Sequence, residues 1–200
     1  MNTLIVVGEA DAGAYTQAFS GSGLRVAAFP CADWNADLSP WPAEKAFKKG
    51  EDFAGRGGAY LQALLAFSAE WECSMPEAPE KRFLAGYSLA GLFSLWTLYQ
   101  TDRFDGAASA SGSLWYPGWL DYIAQRRPVR HAAFSLSLGD KEEHTKNPVM
   151  ARVGDATRET CRLLKAQGYP VTLAWNAGGH FADEQLRTVK AVQALLNLNG

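Results

Sequence analysis

Cysteine is scarce in these 200 residues: Cys31, Cys73 and Cys161 are odd in number, widely scattered and form no CxxC pair. That excludes a disulfide framework and a zinc knuckle, and reads as reduced thiols in a cytoplasmic protein. Long hydrophobic runs are missing too. Leu4–Val7 is too short for a signal segment, no basic residue precedes it, and nothing approaches the roughly 20 apolar residues of a membrane span. An excess of one charge is also lacking. Nineteen basic against 21 acidic residues give a net charge of −2, which leaves no electrostatic footprint for nucleic acid. No internal repeat, linker or low-complexity tract divides the chain, so residues 1–200 read as one domain. What is abundant is apolar: 48% hydrophobic residues, with seven Trp and ten Phe, more than a core of this size needs. Some of these aromatics are expected to line a pocket or an interface.

Short apolar runs alternate with helical patterns. Strands are expected at 4–7, 24–29, 82–85, 106–110, 132–138 and 171–175. Helical spacing marks 60–70, 89–99, 150–167 and 181–196. Between Cys31 and about Gly50 lies a long polar excursion carrying Trp34 and Trp41, for which a rim or lid role is expected. This alternation predicts an α/β fold: a mostly parallel sheet of about six strands, helices on both faces, and chemistry in the loops at the strands' carboxyl ends. About twenty residues separate the strands at 106–110 and 132–138, too few for a large cap. An open, shallow site is expected.

The first such loop, GEADAGAY, fails both nucleotide fingerprints: Ala14–Tyr15 stands where a phosphate loop needs Lys–Ser/Thr, and Gly8 lacks the x-Gly that follows in a dinucleotide loop. No cofactor is implied. The third, Gly86-Tyr87-Ser88-Leu89-Ala90-Gly91, runs from a strand into a helix and has the form of a nucleophile elbow. Gly86 and Ala90 are small, as so tight a turn requires. Ser88 then projects at a helix N-terminus, where free N–H groups favour developing negative charge, with Leu89 N–H as an oxyanion donor. A second N–H is expected from the loop near Glu9–Ala10.

A serine nucleophile needs an acid and a histidine, later in the chain for this architecture. Strand-end loops supply Gly139-Asp140-Lys141-Glu142-Glu143-His144 and Asn176-Ala177-Gly178-Gly179-His180. His180 is the candidate base. His131 lies at the wrong end of its strand, and His144 reads as solvated. The acid is Glu142 or Asp140. A short Asp140 suits its own turn's N–H groups, Glu142 has the reach to return to His180, and Glu143 should point to solvent. The acidic loop lacks a calcium-binding pattern, so no metal is expected. Tyr87, Trp115, Tyr116 and Trp119 are placed at the pocket mouth.

GYSLAGL, ASASGSLWYPGW, LGDKEE and GGHF together resemble the esterase-D-like branch of the α/β-hydrolases, which includes S-formylglutathione hydrolases and trilactone siderophore esterases. The S-x-S-x-W element falls within Ser109–Trp115, and DWNADLSPW is similar to the family's rim element. The likeness runs from about Asp33 to about Leu186. It implies Ser88 as nucleophile, His180 as base, and Glu142 as acid by its distance from the strand-ending glycine. It also implies a small-molecule ester substrate, with no nucleic acid or membrane partner. Three departures stand out: the usual N-terminal antiparallel strands and the HGGG-type oxyanion loop are missing, and Ala90 replaces the commoner glycine. Acyl transfer to another acceptor, or an idle binding module, would use the same residues.

Overall fold

The computed structural model describes residues 1–46 and 50–199, so Phe47–Lys49 of the polar excursion lie outside it. In chain order the elements are β1 (Asn2–Val7), α1 (Gly13–Ala18), β2 (Leu24–Phe29), α2 (Trp34–Asp37), β3 (Pro42–Ala43), β4 (Phe53–Ala54), α3 (Gly57–Cys73), β5 (Arg82–Tyr87), α4 (Leu89–Thr97), β6 (Gly106–Ala110), α5 (Trp119–Gln125), β7 (Ala133–Gly139), α6 (Val153–Ala166), β8 (Val171–Asn176) and α7 (Glu184–Asn197). Six strands form one parallel sheet in the order β2-β1-β5-β6-β7-β8. The predicted α/β class and strand count hold.

Burial alternates along each strand because successive side chains face opposite ways. Leu4, Val6, Phe83 and Ala85 pack beneath α1 and α7, whereas Ile5, Val7 and Leu84 face α3 and α4 on the other side. Every residue of α4 is buried, as its all-round apolar sequence LAGLFSLWT requires. Among the described residues no helix is long and apolar enough to cross a membrane.

The chain leaves β1 toward β2, then returns past β1 to β5, so the strand order reverses between β1 and β5. Crevices at such reversals, above the carboxyl ends of the strands, are where open α/β sheets bind ligands. Ser88 follows β5 at that point. The described part of the polar excursion holds more regular structure than its composition predicts. Asp33 caps α2 by accepting the Ala36 N–H at 3.1 Å, and Arg56 pairs with Asp33 and Asp37. β3 and β4 form a two-residue antiparallel pairing, and Phe53 packs against Trp115 and Tyr116. Single residue pairs like these leave no periodic trace, which is why the sequence shows only a loop there.

Candidate active site

The turn after β5 is tight enough to force Ser88 into φ 55° and ψ −121°, a conformation that costs a non-glycine residue about 1–3 kcal/mol. A Cβ on Gly86 would lie 2.4 Å from the Ala90 carbonyl, and one on Gly91 would meet Ser109 Oγ at 2.7 Å. The Ala90 side chain is fully buried beside Gly8, so alanine is accommodated where glycine is commoner. Gly86→Ala is expected to destabilise the fold by about 1–3 kcal/mol through overpacking and to open the turn. A thermal melt beside an activity assay checks this; wild-type values in both would contradict it.

Ser88, His180 and Glu142 come together in one hydrogen-bonded chain. His180 Nδ1 lies 2.7 Å from Glu142 Oε2, and His180 Nε2 lies 3.0 Å from Ser88 Oγ. A carboxylate only accepts, so Nδ1 carries the proton and Nε2 is left to accept the Ser88 hydroxyl. That hydroxyl proton being committed, Ser113, whose Oγ is 3.2 Å from Ser88 Oγ, must donate. Glu142 Oε1 accepts three further donors: Ser111 Oγ at 2.6 Å, the Gly139 N–H at 2.7 Å and Arg187 Nη1 at 3.0 Å. Burial alone would push this carboxyl up. The hydrogen bonds from His180, Ser111 and Gly139 outweigh it and hold the group below the usual carboxylate range.

The chain opens into a cleft of about 580 Å³. Trp34, Phe53, Leu89, Trp115, Met150 and Phe181 form its apolar walls, and Lys141, His144 and Thr145 lie along one side. Trp34 and Phe181 stand at 40% and 86% exposure, an unusual state for large apolar side chains that marks them as a rim. Leu89 is the first residue of α4, so its N–H has no intrahelical acceptor, and the residue lines the cleft. The turn after β1 runs beside Ser88, because Val7 pairs with Gly86.

Several sequence expectations need correction. Tyr87 is buried under the site and outside the cleft: its hydroxyl donates to the His180 carbonyl, since residue 87 shares the α7 face of β5 with Phe83 and Ala85. Tyr116 is 2% exposed and donates to the Trp41 carbonyl, so it props the excursion and does not line this cleft. Trp41 does likewise through Nε1 to the Pro117 carbonyl, and Trp119 is core, bonded to Thr160. Of the four predicted aromatics only Trp115 reaches the cleft. His144 is exposed, as its charged loop led one to expect, and also lies at the cleft's mouth. Asp140 does not serve its own turn. It accepts the Gly178 N–H at 2.8 Å, because Gly139 and Asn176 are in register and the two loops leave the sheet side by side. Glu143 is ion-paired with Arg158 at 2.7 Å.

Sequence reading missed Ser111, Ser113 and Arg187. Ser111 and Ser113 sit in the S-x-S-x-W element but had no assigned task. Arg187 is 2% exposed, and its signal was available: it is a charge on the helix stripe whose next turns are the buried Ala191 and Leu195.

No family model matches the chain. Over 141 residues it is 27% identical to the uncharacterized protein YbbA of Bacillus subtilis, a match that spans 66% of this chain and 55% of that protein. The siderophore hydrolase EstA from Aspergillus nidulans superposes with a TM-score of 0.74 at 19% identity, covering 99% of this chain and 82% of EstA. An IroE-like serine hydrolase from Shewanella oneidensis gives 0.73 at 13% identity, with 98% of this chain and 69% of that one covered. With its parallel sheet, its strand–serine–helix turn and these likenesses, the chain has the α/β-hydrolase fold.

Proposed function

We propose that this protein is a serine esterase that cleaves small-molecule carboxylic esters through an acyl-enzyme on Ser88. The observation that carries the reading is the unbroken hydrogen-bonded chain from Ser88 through His180 to an ionised Glu142, open to a cleft with apolar walls. As Ser88 Oγ attacks the ester carbonyl, His180 Nε2 takes its proton. Glu142 holds the ring's tautomer and stabilises the imidazolium. The oxyanion is met by the Leu89 N–H, and a second amide is assigned to the Glu9–Ala10 turn beside it. Collapse of the tetrahedral intermediate breaks the C–O bond, and the imidazolium protonates the departing alcohol. Water, deprotonated by the same imidazole, then releases the acid and restores Ser88. The siderophore hydrolase and serine hydrolase likenesses support this chemistry as fold analogy.

The test is fluorophosphonate labelling together with a panel of p-nitrophenyl esters of rising chain length. Labelling at Ser88 and hydrolysis of dissolved short esters are expected. A protein that ignores the probe, or whose products in mixed acceptors are only transesters, does not fit a hydrolase. Only the seven-residue α5 lies between β6 and β7, and among the described residues no large cap covers the cleft. Activity is therefore expected to follow dissolved substrate without a jump at the solubility limit, and a strong preference for emulsified long-chain triglycerides would refute that.

A further inference from the structure

Arg187 is the buried charge that the reaction above leaves unexplained. A guanidinium is costly to bury unless its charge is paired and its N–H groups find acceptors. Here Nη1 donates to Glu142 Oε1 at 3.0 Å, Ser111 Oγ at 3.2 Å and Tyr87 Oη at 3.3 Å, and Nη2 donates to the Ala177 carbonyl at 2.8 Å. These partners come from four different strand ends: Tyr87 closes β5, Ser111 follows β6, Glu142 follows β7 and Ala177 follows β8. Tyr87 in turn donates to the His180 carbonyl. The loop that carries the histidine is thus held twice, at Ala177 directly and at His180 through Tyr87. Packing alone asks for no charge at this position, since Ala191 and Leu195 along the same stripe of α7 are apolar.

We propose that Arg187 is a positioning residue for ester cleavage. Its planar fork fixes Glu142 Oε1, so that Oε2 faces His180 Nδ1, and anchors the Ala177–His180 loop, so that Nε2 stays on Ser88 Oγ. The proposal rests on the reading of Ser88, His180 and Glu142 given above. Ser111 and Gly139 also hold Oε1, but neither reaches the histidine loop. Asp140 and the Lys141 N–H bond Gly178 and so join the two loops by their backbones, whereas Arg187 bonds the Glu142 carboxylate itself and the histidine loop together. It does not line the cleft, so its loss should spare substrate binding.

A kinetic double-mutant cycle tests this with Arg187→Met, Glu142→Gln and the double variant on one aryl ester. Arg187→Met is expected to lower kcat about 10²-fold, the scale of a misplaced reacting group, with KM within about twofold. In the Glu142→Gln background the same change should cost less than about threefold, because the two residues act as one unit. Arg187→Lys keeps the charge but loses the fork, and should recover about tenfold of the loss. The low-field Nδ1 proton resonance of His180 should weaken in Arg187→Met. Equal losses with and without Glu142 would overturn the proposal, as would a raised KM at unchanged kcat. Should Arg187→Met not fold, Arg187→Lys carries the same cycle with the same two outcomes. Ser88→Ala in the same assay separates the failures. If it turns over ester, the nucleophile assignment falls; if it is inactive while the cycle is additive, only the role of Arg187 falls.

Discussion

Ser88→Ala is expected to lower kcat by about 10⁶-fold, down to the residual 10³–10⁴-fold over water that binding and oxyanion donors alone provide. In the proposed reaction the Ser88 oxygen is the atom that attacks, so His180 and Glu142 would have nothing to activate once it is gone. The same position makes a second, opposite prediction for stability. Ser88 is held at φ 55°, which the surrounding turn imposes at a cost of about 1–3 kcal/mol. Alanine keeps a Cβ and keeps that strain; glycine relieves it. Ser88→Gly should therefore be as inactive as Ser88→Ala yet melt several degrees higher, by about 1 kcal/mol or more. Stopped assays and thermal melts of the two variants check both statements. A Ser88→Ala protein retaining a tenth of wild-type activity would falsify the assignment. A Ser88→Gly protein no more stable than Ser88→Ala would mean that the turn is not strained.

Strand-end loops were the legible part of this site, for a reason that the sheet makes plain. Five of the six sheet strands are short apolar runs closed by glycine, proline or a serine turn, and each run fixes where a loop leaves the sheet. Ser88, Glu142 and His180 each lie within four residues of a strand end, so locating the strands located them. Direction was harder. Tyr87 precedes Ser88 and reads as a pocket residue, but one residue along a strand changes the face, and Tyr87 falls on the α7 side. Tyr116 fails for a different reason. Its position depends on where Trp41 and Phe53 fold back from the excursion, and that packing rests on a two-residue pairing without a sequence period. Arg187 is legible as a charge on the buried stripe of α7, but its task is not, because its partners lie between 10 and 100 residues away in the chain, at Ala177 and Tyr87. Only the fold brings them to one guanidinium.

Glu142→Gln should cut kcat by about 10³–10⁴-fold, and the hydrogen bonds around its two oxygens say why. Three donors converge on Oε1: the Ser111 hydroxyl, the Gly139 N–H and Arg187. A glutamine must offer its carbonyl oxygen to them, since its NH₂ would leave every one unpaired. That orientation turns the NH₂ toward His180 Nδ1, which can then only accept. The imidazole proton moves to Nε2, facing Ser88, and the base is lost with the geometry intact; a wrong tautomer of this kind costs a triad about 10⁴-fold. Arg187 also loses its counter-charge, so the variant should melt lower. The wild-type carboxyl is held below the usual carboxylate range. Its ionised form thus contributes stability above that range, and the contribution is lost as pH falls through the depressed value. Glu142→Gln lacks this contribution, and the gap between its melting temperature and that of wild type should narrow in acid. Asp140→Asn is the control. Its amide oxygen still accepts the Gly178 N–H, so the expected cost is about 1 kcal/mol of stability with most activity kept. Steady-state kinetics and melts across pH on both variants decide the matter: an inactive Asp140→Asn beside a normal Glu142→Gln would assign the acid to Asp140.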